Sequence, residues 1–144
     1  MREPSGFLID TNVVSEVMRP LPEPRVLQWV NAQPDKRLYL STTILAELLS
    51  GLAAMPDGQR KLGLQALLRR LRRDWFAGRV LPFTEEAAER YGDIVSRARG
   101  KGRAIEMADG QIAAVAAVHG FAVATRDTRP FVAAGVPVVN PWQM

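Results

Sequence analysis

Short apolar runs that alternate with longer helical patterns are the feature that most limits the fold of this chain. The runs with the length and composition of strands are 6–10, 38–41, 79–83, 122–125 and 137–140. The helical patterns between them are 24–32, 41–55, 59–76, 84–99 and 105–120. Strands joined through helices pair in parallel, and both faces of their sheet are then covered. We therefore predict an α/β/α sandwich built on a parallel sheet.

The composition narrows the class of protein. A chain of 144 residues, 47% hydrophobic and 24% charged, suits one globular domain spanning 1–144. It has no cysteine, which excludes disulfides and thiolate metal sites. No apolar run is long enough to cross a membrane, and we expect a cytoplasmic protein. The 19 Lys and Arg outnumber the 15 Asp and Glu, so a basic exterior compatible with a polyanionic substrate is expected if several acids converge on one site.

Asp10 follows the first predicted strand directly, in the stretch FLIDTN (7–12). A buried carboxylate without partners is costly, and Asp, Thr and Asn are residues of turns and helix caps. The strand must therefore stop here and a helix begin. Asp10 is either an ordinary helix N-cap or part of a site, because parallel sheets bind ligands at the carboxyl ends of their strands, where strand order reverses.

Asp127 has the same relation to a later strand. It follows the run AVAT (122–125) within the polar turn TRDTRPF. If the two strands are neighbours in the sheet, Asp10 and Asp127 meet at one edge. The alternative is a simple turn or cap aspartate.

Glu47 lies within the helical pattern 41–55, whose buried side is predicted to carry Ile44, Leu45, Leu48, Leu49 and Leu52. The other face carries Glu47 together with Thr43, Ser50 and Gly51 at helical spacing. Because these neighbours are small, another element or a ligand can approach closely. The alternative is a lone surface glutamate.

Asp109 lies in the first turns of the apolar pattern 105–120, three residues after Glu106. The helix dipole favours acids at that end. It explains less well why Asp109 directly precedes a stretch that must be buried, since that helix carries no obvious Lys or Arg partner. A carboxylate at this depth needs a counter-charge from elsewhere.

Carboxylates crowded into one crevice repel each other, and a hard divalent cation removes that cost. Oxygen ligands alone suit Mg²⁺ or Mn²⁺, whereas a chain with no cysteine and one histidine has no structural zinc site. Hydrolysis of phosphoesters by metal-activated water needs acids and Mg²⁺ but no Cys or His nucleophile. The acids therefore indicate phosphoryl-transfer chemistry.

Five segments, in this order and spacing, resemble the PIN-domain nucleases, and among them the VapC/FitB-type toxins of bacterial toxin–antitoxin pairs. They are LIDTNVVSE, LSTTILAELLSG, RVLPF, MADGQIAAVAAVHGFAVATRDTRPF and VVNPW. The resemblance covers essentially the whole chain. It implies a five-stranded parallel sheet and an endoribonuclease that uses Mg²⁺ or Mn²⁺ to hydrolyse RNA phosphodiester bonds.

The resemblance also implies roles for residues. The acidic quartet would be Asp10, Glu47, Asp109 and Asp127. In agreement with the reading of the individual acids, Asp10 and Asp109 would hold the metal most directly, and the other two directly or through water. The positions that would hold carboxylates and metal waters by hydrogen bonds are Thr11, Asn12 and Thr125.

Three kinds of partner follow from the same resemblance: RNA, a small antitoxin that inserts a basic side chain into the acidic pocket, and a second copy of the chain. The apolar helices around Leu48 to Leu71 are the candidate dimer surface. Two basic rows could hold the RNA backbone or simply be solvated. They are Arg69, Arg70, Arg72 and Arg73, and Arg97, Arg99, Lys101 and Arg103.

Other classes of function stay open at this stage. A haloacid-dehalogenase-type phosphatase needs a second Asp two residues after the first, where this chain has Asn12. A non-catalytic PIN-like module would use the acids only to bind a metal or a partner. A DNA-directed or flap nuclease of the same superfamily would need DNA-clamping insertions, for which a chain of 144 residues is short.

Overall fold

The computed structural model describes residues 4–144, apart from the side chain of Asp35. Its strands are β1 (Phe7–Ile9), β2 (Leu38–Ser41), β3 (Val80–Leu81), β4 (Ala122–Ala124) and β5 (Val138–Val139). Its helices are α1 (Thr11–Val17), α2 (Pro24–Ala32), α3 (Thr42–Ala53), α4 (Gln59–Asp74), α5 (Glu85–Gly100), α6 (Met107–His119) and α7 (Arg129–Ala134). Turns of 3₁₀ helix span Asp35–Arg37 and Pro141–Gln143.

The strands form one five-stranded sheet in the order β3-β2-β1-β4-β5, and every neighbouring pair is parallel. Helices flank the sheet: α5, α6 and α7 pack on one another, and α1 packs on α2 and α3. The core consists of the sheet and the inner faces of these helices. The predicted α/β/α sandwich with five parallel strands is confirmed.

The helix boundaries follow from local chemistry. The Ser41 hydroxyl accepts the N–H of Ile44 at 3.2 Å and starts α3, and the Thr84 hydroxyl accepts the N–H of Ala87 at 3.1 Å and starts α5. Helix α6 ends at Gly120, whose φ of 68° suits a residue without a side chain. Its middle is buried almost completely, as its apolar sequence predicts.

Strand order reverses beside β1, and this positions the site. The chain runs from β1 to β2 and β3 on one side, then returns to place β4 and β5 on the other. Ile9 is paired with Ala124, and the N–H of Asp10 donates to the carbonyl of Ala124 at 3.0 Å. The loops after β1 and β4 therefore leave the sheet at the same level, in the crevice where open α/β sheets bind ligands.

Some details differ from the sequence prediction. Helix α7 was not predicted, because it has six residues and Phe131 is its one buried side chain. Strand β3 is limited to Val80–Leu81, since Pro82 has no N–H for the ladder. The assignment of Leu49 to the buried side was wrong: α3 leaves it 45% exposed. Within the described residues, no helix is both long and apolar enough to span a bilayer.

Candidate active site at the carboxyl edge of the sheet

Asp10 is buried, with 6% of its surface exposed, between the end of β1 and the start of α1. Its Oδ1 accepts the backbone N–H of Thr11 at 2.8 Å. Its Oδ2 accepts the hydroxyl of Thr125 at 2.8 Å. These hydrogen bonds to a carboxylate offset the cost of burying it. Asp10 is therefore both the N-cap of α1 and a fixed carboxylate at the edge of the sheet.

Thr125 is fully buried, and its hydroxyl joins the loop after β4 to the junction of β1 and α1. It donates to Asp10 and accepts the Nδ2 of Asn12 at 3.2 Å and the N–H of Asp127 at 3.1 Å. A hydroxyl has one proton and two acceptor sites, so its hydrogen-bonding capacity is filled. The Oδ1 of Asn12 in turn accepts the N–H of Arg126 at 3.1 Å. The loop that carries Asp127 is thereby tied to the first turn of α1.

Glu47 reaches this network through Thr11. The Thr11 hydroxyl lies 3.1 Å from Glu47 Oε1 and 3.2 Å from Asp10 Oδ1, so its single proton lies between two carboxylates. Glu47 is exposed on α3. One turn earlier on α3, Thr43 donates to Gln111 Oε1 of α6 at 2.9 Å. This bond links the helices that carry Glu47 and Asp109.

Asp109 is half-buried near the start of α6, and the pKa of its carboxyl is raised to about 6. Burial is the largest cause. The remaining cause is repulsion from four other acids, in descending order Asp10, Glu47, Asp127 and Glu106. The acids predicted from the sequence thus share one electrostatic environment. In the described part of the chain Asp109 has no ion pair.

Gly110 sets how closely α6 approaches α5. A Cβ at Gly110 would lie 2.7 Å from Cε2 of Tyr91, which is closer than real Cβ contacts. The absence of a side chain therefore lets α6 pack directly on the Tyr91 ring, and this packing fixes the position of the neighbouring Asp109. Neither Gly110 nor Gln111 was predicted from the sequence to belong to the site. The pattern that could have identified them is a small residue followed by a polar residue at the start of an otherwise apolar helix.

The acids fit a hydrated hard cation better than a fully dehydrated one. Among the described side chains, no group of three or more Asp, Glu or His is arranged to hold a metal ion directly. Mg²⁺ keeps several of its waters and is bound through one or two carboxylates. Carboxylate oxygens are its preferred protein ligands, and the mutual repulsion that raises the pKa of Asp109 would be relieved by a positive charge. The residues present therefore suit Mg²⁺ or Mn²⁺.

A cleft of about 710 Å³ opens beside the acids. Asp109, Asp127 and Glu106 contribute to its lining, together with Arg103, Arg129 and small or apolar side chains. Asp10 and Glu47 lie outside this lining. This volume lies in the range of pockets that bind small ligands.

The strand order is doubly wound, and acids cluster where that order reverses beside β1. These features place the protein among small α/β proteins with an acidic site, and comparison with known proteins identifies the family. The PIN domain family matches residues 7–136. The VapC ribonuclease Y4jK of Sinorhizobium fredii is 48% identical over 137 residues, covering 95% of this chain and 98% of that protein. Toxin FitB of Neisseria gonorrhoeae is 46% identical over 136 residues, covering 94% and 98%.

Solved structures give the same result. The crystal structure of FitAcB from Neisseria gonorrhoeae superposes with a TM-score of 0.86 and 44% identity, covering 96% of this chain and 99% of that one. The chain belongs to the PIN domain family, in its group of VapC- and FitB-like proteins.

Proposed function

We propose that this chain is the toxin of a toxin–antitoxin pair and acts as a Mg²⁺- or Mn²⁺-dependent endoribonuclease. The observation that carries the proposal is Asp109. It is a half-buried carboxylate without an ion pair in the described part of the chain, and burial together with repulsion from acids of three other segments raises its pKa to about 6. A protein gains little from such mutual repulsion unless a cation relieves it. The similarity to a VapC ribonuclease and to a FitB toxin supports the same function.

The four acids would contribute to binding of the cation in different ways. Asp10 and Asp109 would hold the cation most directly, and Glu47 and Asp127 directly or through water. When bound, the cation supplies a Lewis acid that acidifies a water molecule and offsets negative charge on the phosphate. Thr125 and Thr11 hold the two oxygens of Asp10 in fixed directions, because each oxygen accepts a bond from one of these residues. A preorganised carboxylate needs no rearrangement when the substrate arrives.

Asn12 and Thr125 also position the loop that follows β4. Asn12 accepts the N–H of Arg126, and Thr125 accepts the N–H of Asp127. The fourth acid is thereby held near the cleft by its backbone, while its side chain is exposed. This arrangement lets Asp127 reach a hydrated ion or a water molecule without a large change of fold.

Cleavage of a single-stranded RNA tests the proposed activity. The purified protein should cleave the RNA with Mn²⁺ or Mg²⁺ and not in EDTA, and Asp10→Asn should abolish cleavage while the circular dichroism spectrum is unchanged. Asp93→Asn, the same substitution at an exposed position of α5, is the matched control and should remain active. A folded parent that never cleaves RNA with metal would favour the non-catalytic PIN-like module instead.

The proposed biological role requires a restraining partner. A small antitoxin could suppress cleavage by placing an arginine among the acids, since a guanidinium pairs bidentately with carboxylates. A toxin homodimer would use the apolar surface of α3 and α4, where Leu49 is 45% and Leu62 is 60% exposed. Co-expression with the product of the neighbouring reading frame tests the pairing. Absence of any complex would contradict the toxin assignment, and a complex with full ribonuclease activity would contradict the blocking mechanism.

A further inference from the structure

The cleft beside the acids carries charges of both signs that do not pair with each other. Arg103, which follows α5, and Arg129, at the start of α7, line the same cleft as Asp109 and Asp127. Both arginines are exposed. In the described part of the chain neither guanidinium makes a hydrogen bond or an ion pair. Two positively charged guanidinium groups thus remain available at the mouth of an acidic site.

This arrangement suits a ligand that carries two or more negative charges at separate positions. The acids would be occupied by a cation, so the arginines are left to bind an anion beside it. A phosphodiester strand meets this requirement, because consecutive phosphates present negative charge on both sides of the bond to be broken. Guanidinium groups bind phosphate oxygens in a bidentate manner.

The rest of the lining indicates how such a strand would be held. The remaining side chains are mainly small or apolar, among them Ala133 and the 55% exposed Val132. Among the residues that the structure describes, no aromatic side chain lines this cleft, so they offer no platform on which bases stack. Recognition here would therefore rest on backbone charge, with apolar contact to the sugars or bases.

We propose that Arg103 and Arg129 form a phosphate subsite that holds single-stranded RNA next to the bond that is cleaved. This inference rests on the proposed function and refines it. Of the two basic rows suggested by the sequence, only Arg103 lines the acidic cleft. Arg69 and Arg72 line a separate cleft with residues of α3 and α4. Arg129 was not among the predicted RNA-binding residues.

The salt dependence of RNA binding tests the subsite without using activity. A labelled single-stranded RNA is titrated with the Asp10→Asn protein at one fixed millimolar concentration of Mg²⁺, and the dissociation constant is measured by fluorescence anisotropy at several concentrations of monovalent salt. A plot of log affinity against log salt concentration has a negative slope, and for single strands each phosphate contact makes it steeper by about 0.7. The double variant that carries Arg103→Gln and Arg129→Gln should therefore have a slope that is shallower by about 1.4.

The matched control is the pair Arg69→Gln and Arg72→Gln, which removes the same charge from the other cleft. It should leave the slope nearly unchanged. Equal losses in both double variants would show general electrostatic attraction and would overturn the subsite, as would no loss in either. If the parent cleaves RNA with Mn²⁺ while the slope does not respond to Arg103 and Arg129, only this inference fails. If the slope responds but the parent never cleaves RNA, the subsite stands and the proposed function fails.

Discussion

Replacing Asp109 with Asn should stabilise the metal-free protein at neutral pH. The folded-state pKa of Asp109 is about 6, against an ordinary value of 3.8. Well below pH 3.8 the carboxyl is protonated in both the folded and the unfolded state, and its titration has no effect on stability. Between pH 4 and pH 6 the unfolded chain releases its proton first, so the free energy of unfolding falls as the pH rises. Above about pH 6 the carboxyl is ionised in both states, and the free energy of unfolding is reduced by the full cost of the buried charge.

The size of the effect follows from the same pKa. A rise from 3.8 to about 6 corresponds to an upper bound of about 3 kcal/mol. Because Asp109 is only half-buried, solvent screening leaves on the order of 1 kcal/mol. For a chain of this length, that is a rise in Tm of about 2–4 °C. The substitution removes the charge and nearly preserves the shape, so the gain should appear at pH 7–8 and vanish near pH 4.

Thermal melts of the parent and the Asp109→Asn variant in EDTA, from pH 4 to pH 8, measure this difference. Asp93→Asn, on the exposed face of α5, controls for the loss of one negative charge from the protein as a whole. Its Tm should follow that of the parent at every pH. A variant that is no more stable than the parent at pH 7–8 would refute the cost of the buried, repelled carboxylate at Asp109. A difference that stays the same at pH 4 would refute titration of Asp109 as its cause.

Three further outcomes are expected. Millimolar Mn²⁺ should raise the Tm of the parent by mass action, and Asp109→Asn should lose most of that rise; equal shifts in both proteins would show non-specific ion effects. Thr125→Val should cost about 1–3 kcal/mol of unfolding free energy because it leaves Asp10 and Asn12 with unmet hydrogen bonds, whereas Thr125→Ser should restore most of it in urea titrations. Gly110→Ala should cost about 1–3 kcal/mol through its clash with Tyr91, and it should cost less when Tyr91 is already replaced by Ala; an equal cost in both backgrounds would contradict that cause.

The sequence was sufficient for the overall fold because its signals are long and redundant. Helix α4 repeats leucines at helical spacing between Leu62 and Leu71, and α6 is apolar over nearly its whole length. Asp10 and Asp127 were found because each follows a buried strand, and strands that are parallel neighbours end at the same edge. Glu47 was found by the small residues around it, and the structure brings it within 3.1 Å of the Thr11 hydroxyl.

Other features leave too little signal in a single sequence. The bond between Thr43 and Gln111 joins ordinary polar residues that are 68 positions apart, and nothing local marks either one. Arg129 begins a helix of six residues, which is too short to show a period. The proposed roles of the acids in binding a metal and cleaving RNA remain predictions, since they depend on a cation and a substrate.

The hydrogen bond between Thr125 and Asp10 joins residues that are 115 positions apart, and this distance has a consequence for synthesis of the chain. At about 5–20 residues per second, a ribosome needs on the order of ten seconds to pass from one to the other. During that time β1 lacks one of its two neighbouring strands, and Asp10 has no partner for its Oδ2. The acidic centre therefore cannot assemble on a nascent chain until almost the whole protein has been made, and fragments that end before β4 cannot contain it.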